Sequence, residues 1–191
     1  MIAVLFARTD SIYKTIPGCE VYDLERDALT YPGDMPIVAH PPCRAWGSLS
    51  HLANPRPGER ELAIWALGQV RQWGGVLEHP RTSRLWRACS MPMGKWLDEY
   101  GGFTLCVDQF WWGHRAHKRT LLYCCGLPRK LVPVMPIILG HAPCVVHSGT
   151  PTGHPPRKNK LPEIHRWERE ATPCAFAEWL VELAGRCHGR Y

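Results

Sequence analysis

Three short polar motifs in this sequence hold residue types that together can add a nucleophile to an aromatic ring. The first, AHPPCRAWGS at residues 39–48, places Cys43 behind two prolines, and a cysteine thiolate is a strong nucleophile. The second, EHP, begins at Glu78, a carboxylate suited to proton transfer. The third, HRAHKRT at residues 114–120, is rich in cations. Gathered at one place, these groups would perform nucleophilic addition with control of the proton, provided that the thiolate forms.

The predicted strands and helices decide where these motifs lie. Apolar stretches predict strands at residues 2–6, 19–24, 36–40, 74–78, 103–109 and 119–125. Apolar residues at three- and four-residue spacing predict helices over 58–73, around 83–100 and near 172–186. Strands alternating with helices predict an α/β fold with a mostly parallel sheet and flanking helices. Because loops beyond the carboxyl ends of parallel strands share one edge of the sheet, we expect the three motifs to converge.

The length predicts a single domain over residues 1–191. Within it we expect an α/β core over 1–125, an irregular basic segment rich in Pro, Gly and His over 126–171, and a closing helix over 172–186. The irregular segment includes PTGHPPRKNK, which reads as solvated chain. No internal repeat divides the sequence.

Composition points to an anionic partner and a reducing compartment. Lys and Arg number 23 against 17 Asp and Glu, a net charge of +6, which favours nucleic acid but also fits an ordinary basic protein. The nine cysteines are scattered and there is no signal peptide or long apolar run, so we expect free thiols, a cytoplasmic location and no membrane. His141, Cys144, His147 and His154 are close in sequence, but without the paired spacing of a structural zinc site we predict no metal.

In three motifs the sequence resembles the DNA (cytosine-5) methyltransferase family. PPC at 41–43, EHP at 78–80 and HRAHKRT at 114–120 follow the family's order of nucleophile loop, base-binding carboxylate and basic motif. LFA at 5–7 and DLERD at 23–27 resemble its cofactor half. The resemblance covers about residues 1–125 and implies a Rossmann-like, methyltransferase-like sheet of reduced size.

The resemblance also implies a reaction and its residues. Cys43 would attack carbon 6 of a cytosine flipped out of DNA, and S-adenosylmethionine would be the methyl donor. The implied catalytic residues are Cys43, Glu78, Arg115 and Arg119. The implied substrate contacts are Pro42, Arg44, Trp46, His79 and Lys118, and the implied cofactor contacts are Phe6, Ala7, Asp10 and Glu25.

Several features depart from the family's pattern. The loop LFARTDSIYK has no glycine, although close approach of backbone to a ligand favours glycine. His79 stands where the family has asparagine, and too few residues follow Arg119 for a target-recognition domain. We therefore expect a short, phage-type member with a degenerate cofactor loop, and a separate DNA-recognition partner is one way to supply the missing part. The oligomeric state stays open.

Other functions and roles remain open at this point. The chain could modify a pyrimidine with a different donor or as a free nucleotide, or it could be a noncatalytic nucleic-acid-binding or decoy protein. Cys43 could pack in a turn, Glu78 could cap a helix, and the cations of 115–119 could form a solvated face. Trp111 and Trp112 fit packing in a core better than stacking on a base.

Overall fold

A computed structural model of the chain describes residues 1–47, 50–146 and 161–189. The basic stretch PTGHPPRKNK, at residues 151–160, therefore lies outside the described residues, as do His147 and His154. Of the segment predicted to be irregular, residues 126–146 and 161–171 are described, and they contain one short α-helix and a 3-10 turn at Arg129–Leu131.

Six strands form one sheet, and all six predicted strand regions are confirmed. The strands are β1 (Ile2–Leu5), β2 (Cys19–Tyr22), β3 (Ile37–Ala39), β4 (Gly75–Pro80), β5 (Phe103–Asp108) and β6 (Arg119–Cys125). They lie in the order β2-β1-β3-β4-β6-β5. The buried strands are rich in branched apolar residues, which suit a sheet covered on both faces.

The sheet is mixed, so the prediction of a mostly parallel sheet is wrong. β1 pairs in parallel with β2 and β3, and β3 pairs in parallel with β4. β6 runs antiparallel to both of its neighbours, β4 and β5. The cause is the connection of residues 109–118, which turns through Gln109–Trp112 and returns at the same end of the sheet. A parallel pair would need a crossover of about a dozen residues or more, usually with a helix.

Helices cover both faces of the sheet, which makes the fold α/β. They are α1 (Glu59–Trp73), α2 (Leu85–Ala88), α3 (Arg166–Glu170) and α4 (Cys174–Gly185). α1 buries Ala63, Ala66, Leu67 and Val70 against one face, together with residues of α2. α4 buries Phe176, Leu180, Leu183 and Ala184 against the other face. Successive residues of a strand point to opposite faces, so Leu77 packs on the α1 side and Val76 on the α4 side.

Two helix predictions need correction. The region around 83–100 is helical only at α2, because Ser90 has a left-handed φ of 49° and Pro92 follows, neither of which continues a helix. The C-terminal helix, predicted over 172–186, spans Cys174–Gly185, with Pro173 at its N-cap. None of the described helices has both the length and the apolar content that a membrane crossing requires.

Gly75 allows β4 to lie close against β3. A Cβ at this position would stand 2.1 Å from the carbonyl oxygen of Ile37, and the φ of Gly75 is 127°. Only glycine tolerates both conditions. The tight pairing brings the ends of β3 and β4 side by side, and with them the Cys43 loop and Glu78.

Candidate active site

One cleft of about 740 Å³ opens at the carboxyl ends of β1, β3 and β4. From β1 the sheet continues to β2 on one side and to β3 on the other, which makes the β1–β3 boundary a topological switch point. Ligands of open α/β sheets bind outside such points. The cleft is lined by the loop after β1, the loop after β3, the end of β4, Lys118 and residues of the C-terminal segment.

Cys43 lies exposed at this cleft, on the loop that follows β3. Pro41 and Pro42 restrict the backbone before it, and the turn Arg44–Trp46 follows it. Removal of the thiol from bulk water raises its pKa, and the charge of Glu78 raises it further, while Lys118 opposes both effects. Cys43 is therefore a protonated thiol at neutral pH in the free protein, and its proton must leave as it reacts.

Glu78 lies on β4 with its carboxylate at the cleft and only 14% of its side chain exposed. Oε2 is 3.1 Å from Nδ1 of His40, and Nε2 of Gln109 donates to Oε1 at 3.5 Å. Burial by itself disfavours the charged form, but the hydrogen bond and charge of His40 and the charge of Lys118 outweigh it, so the pKa of Glu78 falls to about 2. Glu78 is thus a carboxylate at neutral pH.

His40 and Tyr13 extend this carboxylate into a hydrogen-bonded chain along the floor of the cleft. The hydroxyl of Tyr13 is 2.9 Å from Nε2 of His40, and burial raises the pKa of Tyr13 well above its ordinary value. Because an ionised carboxylate only accepts, Nδ1 of His40 carries the proton that it donates to Glu78, while its Nε2 faces the hydroxyl of Tyr13. Sequence reasoning missed both residues, although a histidine directly before Pro-Pro-Cys at a strand end was an available signal.

The structure brings Lys118 to the cleft but not the two arginines predicted as catalytic. Lys118 is half-buried there, and burial lowers its pKa while Glu78 and Cys43 oppose the change. Arg115 is exposed and forms two contacts of 2.8 Å with Glu168. Arg119 is exposed on β6, and neither arginine is among the described residues that line the cleft.

Of the predicted substrate contacts, Pro42 and Arg44 line the cleft, whereas Trp46 and His79 are buried in the core. Arg44 is held 2.8 Å from the carboxylate of Glu59. Trp46 donates its Nε1–H to the carbonyl of Arg60 and is 1% exposed, so it packs rather than stacks on a substrate.

His79 is fully buried on the α1 side of the sheet, with its ring edge-on to Trp86. Burial lowers its pKa to about 4, against the opposing influence of Glu78 and of the Pro42 carbonyl, so it is neutral. Of the tryptophans considered for stacking, Trp112 is buried against α4 and Trp111 is half-buried beside it.

Phe6, Ala7 and Asp10 line the end of the cleft beside β1. Phe6 adopts a left-handed φ of 61°, a conformation uncommon for any residue but glycine and typical of functional loops. Phe6 thus adopts a backbone conformation that is usually found at glycine. Asp10 is paired with Arg8 through two contacts of 2.8 Å.

Glu25 lies outside this end of the cleft, exposed in the turn after β2. Its backbone N–H donates to Asp23, the buried carboxylate of that turn. The carboxylate of Asp23 is 2.6 Å from Nζ of Lys14. This hydrogen bond is the largest of the effects that lower the pKa of Asp23 to about 2. This end of the cleft therefore offers backbone and space to an adenosyl ligand, but among its described lining residues the carboxylate, Asp10, is already paired with Arg8.

Comparison with known proteins does not assign the chain to a family. No family model, curated protein or solved structure matches this chain. Within the described part of the chain, no three His, Cys, Asp or Glu side chains come together as ligands for a metal.

Proposed function

We propose that the protein is a DNA cytosine-5 methyltransferase-like enzyme in which Cys43 adds to carbon 6 of a cytosine. The observation that carries the proposal is the meeting of Cys43, Glu78 and Lys118 in one cleft at the β1–β3 switch point. The sheet order β2-β1-β3-β4 with β6 reversed supports a reduced, methyltransferase-like Rossmann fold as its scaffold.

The chemistry follows from the charges of the cleft. As the sulfur of Cys43 bonds to carbon 6, the thiol loses its proton and nitrogen 3 of the ring gains one. The ring electrons move so that a double bond joins carbons 4 and 5, and carbon 5 becomes the nucleophile. Lys118, whose charge favours the thiolate, assists the first step.

Glu78 is complementary to this adduct more than to free cytosine. The adduct presents N–H groups at nitrogen 3 and at the exocyclic nitrogen, and an ionised carboxylate accepts from both. Free cytosine presents an acceptor at nitrogen 3, which a carboxylate repels. Stabilisation that grows during the reaction is what accelerates it.

DNA is the proposed partner because cations predominate around the cleft. The lining cations are Arg8, Arg44, Lys118, Arg166 and Arg169, and the lining carboxylates are Asp10, Glu78 and Glu170. Together with a net charge of +6, this favours a phosphate-bearing substrate.

S-adenosylmethionine is the proposed donor, and when bound it supplies an electrophilic methyl group. Phe6, Ala7 and Asp10 would hold it beside β1, where the turned backbone at Phe6 leaves room. The ribose contact is missing, because Glu25 lies outside the cleft and Asp23 is occupied by Lys14. This same feature favours the second candidate, a pyrimidine-modifying enzyme with a different donor.

We expect S-adenosylmethionine to bind weakly, with a Kd above about 10 μM, which corresponds to less than roughly 7 kcal/mol. Isothermal titration with S-adenosylmethionine and with its demethylated product, with and without DNA, measures this affinity. Sub-micromolar binding to the protein alone would show that the loop after β1 is a complete cofactor site. Absence of heat under every condition would favour the different donor.

Nucleoside mass spectrometry of DNA from cells that express the protein tests the proposed function. We expect a cytosine nucleoside that carries an added group, and its loss from cells that express a Cys43→Ala variant at the same level. Identical nucleosides in both samples and in cells without the protein would contradict the proposal.

A further inference from the structure

One wall of the cleft is built by residues 166–172, which we call the strap. It consists of α3 and the two residues that follow it. All of its residues except Glu168 line the cleft. The strap therefore lies over the site although it is far from Cys43 in sequence.

Three basic side chains hold the strap in place. Arg115 binds Glu168 with two contacts of 2.8 Å, and Nζ of Lys118 donates to the carbonyl of Ala171 at 3.4 Å. Arg8, from the loop after β1, donates to the carbonyl of Trp167 at 3.3 Å. The strap is thus tied both to the loop after β1 and to the segment before β6, and the Trp167 backbone is held by Arg8.

Trp167 is an exposed aromatic residue in the wall of the cleft. It lines the cleft and is 60% exposed. Arg166 beside it is exposed at the cleft, and Arg169 lies one turn on. An open aromatic face among cations is the combination that binds single-stranded nucleic acid, because bases stack on the ring and phosphates pair with the cations.

We propose that Trp167 is the stacking platform for the nucleotide next to the target cytosine in single-stranded DNA, with Arg166 at its phosphate. The identity of the target base rests on the proposed function above. Trp167 is on the strap at the Arg8 side, whereas Cys43 is on the loop after β3 and Glu78 is on β4, so the two bases occupy different subsites. In a duplex, a base beside a flipped target still pairs and still stacks on its other neighbour, which keeps it in the helix. A base in an unpaired strand has neither constraint and is free to stack on Trp167, so we assign the platform to single-stranded DNA.

The test compares binding of short oligonucleotides to the protein and its Trp167→Ala variant. One oligonucleotide has a central cytosine with normal neighbours, and the other carries an abasic residue beside that cytosine. We expect Trp167→Ala to weaken binding of the first about 5- to 100-fold and to leave binding of the second unchanged. Non-additive losses of this kind show that the ring and the neighbouring base contact each other.

Trp96 provides the matched control, because it is 67% exposed and is not among the described residues that line the cleft. Trp96→Ala should change neither affinity, and Trp167→Phe should retain most of the binding. Equal losses in the two alanine variants, an equal effect with the abasic strand, or tighter binding of the matching duplex would overturn the proposal.

A parallel assay for covalent attachment of Cys43 to 5-fluorocytosine separates this subsite from the proposed function. Attachment without any effect of Trp167 would remove the stacking platform alone. A Trp167 effect without attachment would retain the platform and contradict cytosine addition by Cys43.

Discussion

Replacing Cys43 with alanine is expected to lower the rate of cytosine modification by at least about 10³-fold, equivalent to roughly 4 kcal/mol of barrier. Without the sulfur, carbon 5 never becomes nucleophilic, so the remaining groups have no adduct to stabilise. The measurement is the yield of modified nucleoside from a single-stranded oligonucleotide incubated with purified protein. Since Cys43 is exposed, the fold should survive the change.

Cys106 offers a control for this variant. It is also exposed, but on β5, and it is not part of the described cleft lining. Cys106→Ala should retain full activity. A Cys43→Ala protein with more than a tenth of the activity would mean that another group acts as nucleophile.

Replacing Glu78 with glutamine is expected to reduce the rate by about 10²- to 10⁴-fold while binding of DNA stays close to normal. The amide keeps the size of the side chain but presents one donor and one acceptor to an adduct that offers two donors. Single-turnover rates and DNA-binding affinities, measured separately, distinguish an effect on the reaction from an effect on binding. Glu25→Gln is the control, because Glu25 is exposed and outside the described cleft lining.

The pH dependence of the reaction reports on the same carboxylate. His40 lowers the pKa of Glu78, so in the wild-type protein Glu78 stays ionised until the pH approaches about 2. His40→Leu removes the hydrogen bond and the imidazole together and so raises the pKa of Glu78, and activity should therefore begin to fall at a higher pH as the medium is acidified. If activity falls over the same acidic pH range in the variant and in the wild-type protein, His40 does not set the charge of Glu78.

Much of the fold could be predicted from the sequence because its signals are local. Each strand is a short apolar stretch, and α1 shows the spacing of an amphipathic helix. The direction of β6 could not be predicted in this way, since it depends on pairing with β4, far away in sequence.

The site was predicted in part for the same reason. Cys43 follows the end of β3 and Glu78 lies near the end of β4, so the topology places them together. Whether a basic residue faces the cleft depends on distant partners, and Arg115 is drawn to Glu168 on the strap. Trp46 and His79 belong to the motifs in sequence, yet the packing of α1 and α2 buries both.

The most direct test of the account is the trapping of Cys43 on single-stranded DNA that contains 5-fluorocytosine. The fluorine cannot leave as a proton would, so the covalent intermediate persists once a donor has reacted at carbon 5. Intact-protein mass spectrometry in the presence of S-adenosylmethionine should show a mass increase equal to that of the modified oligonucleotide, mapped to Cys43 and missing in Cys43→Ala. The account is contradicted if the adduct persists in Cys43→Ala or fails to form with every donor supplied.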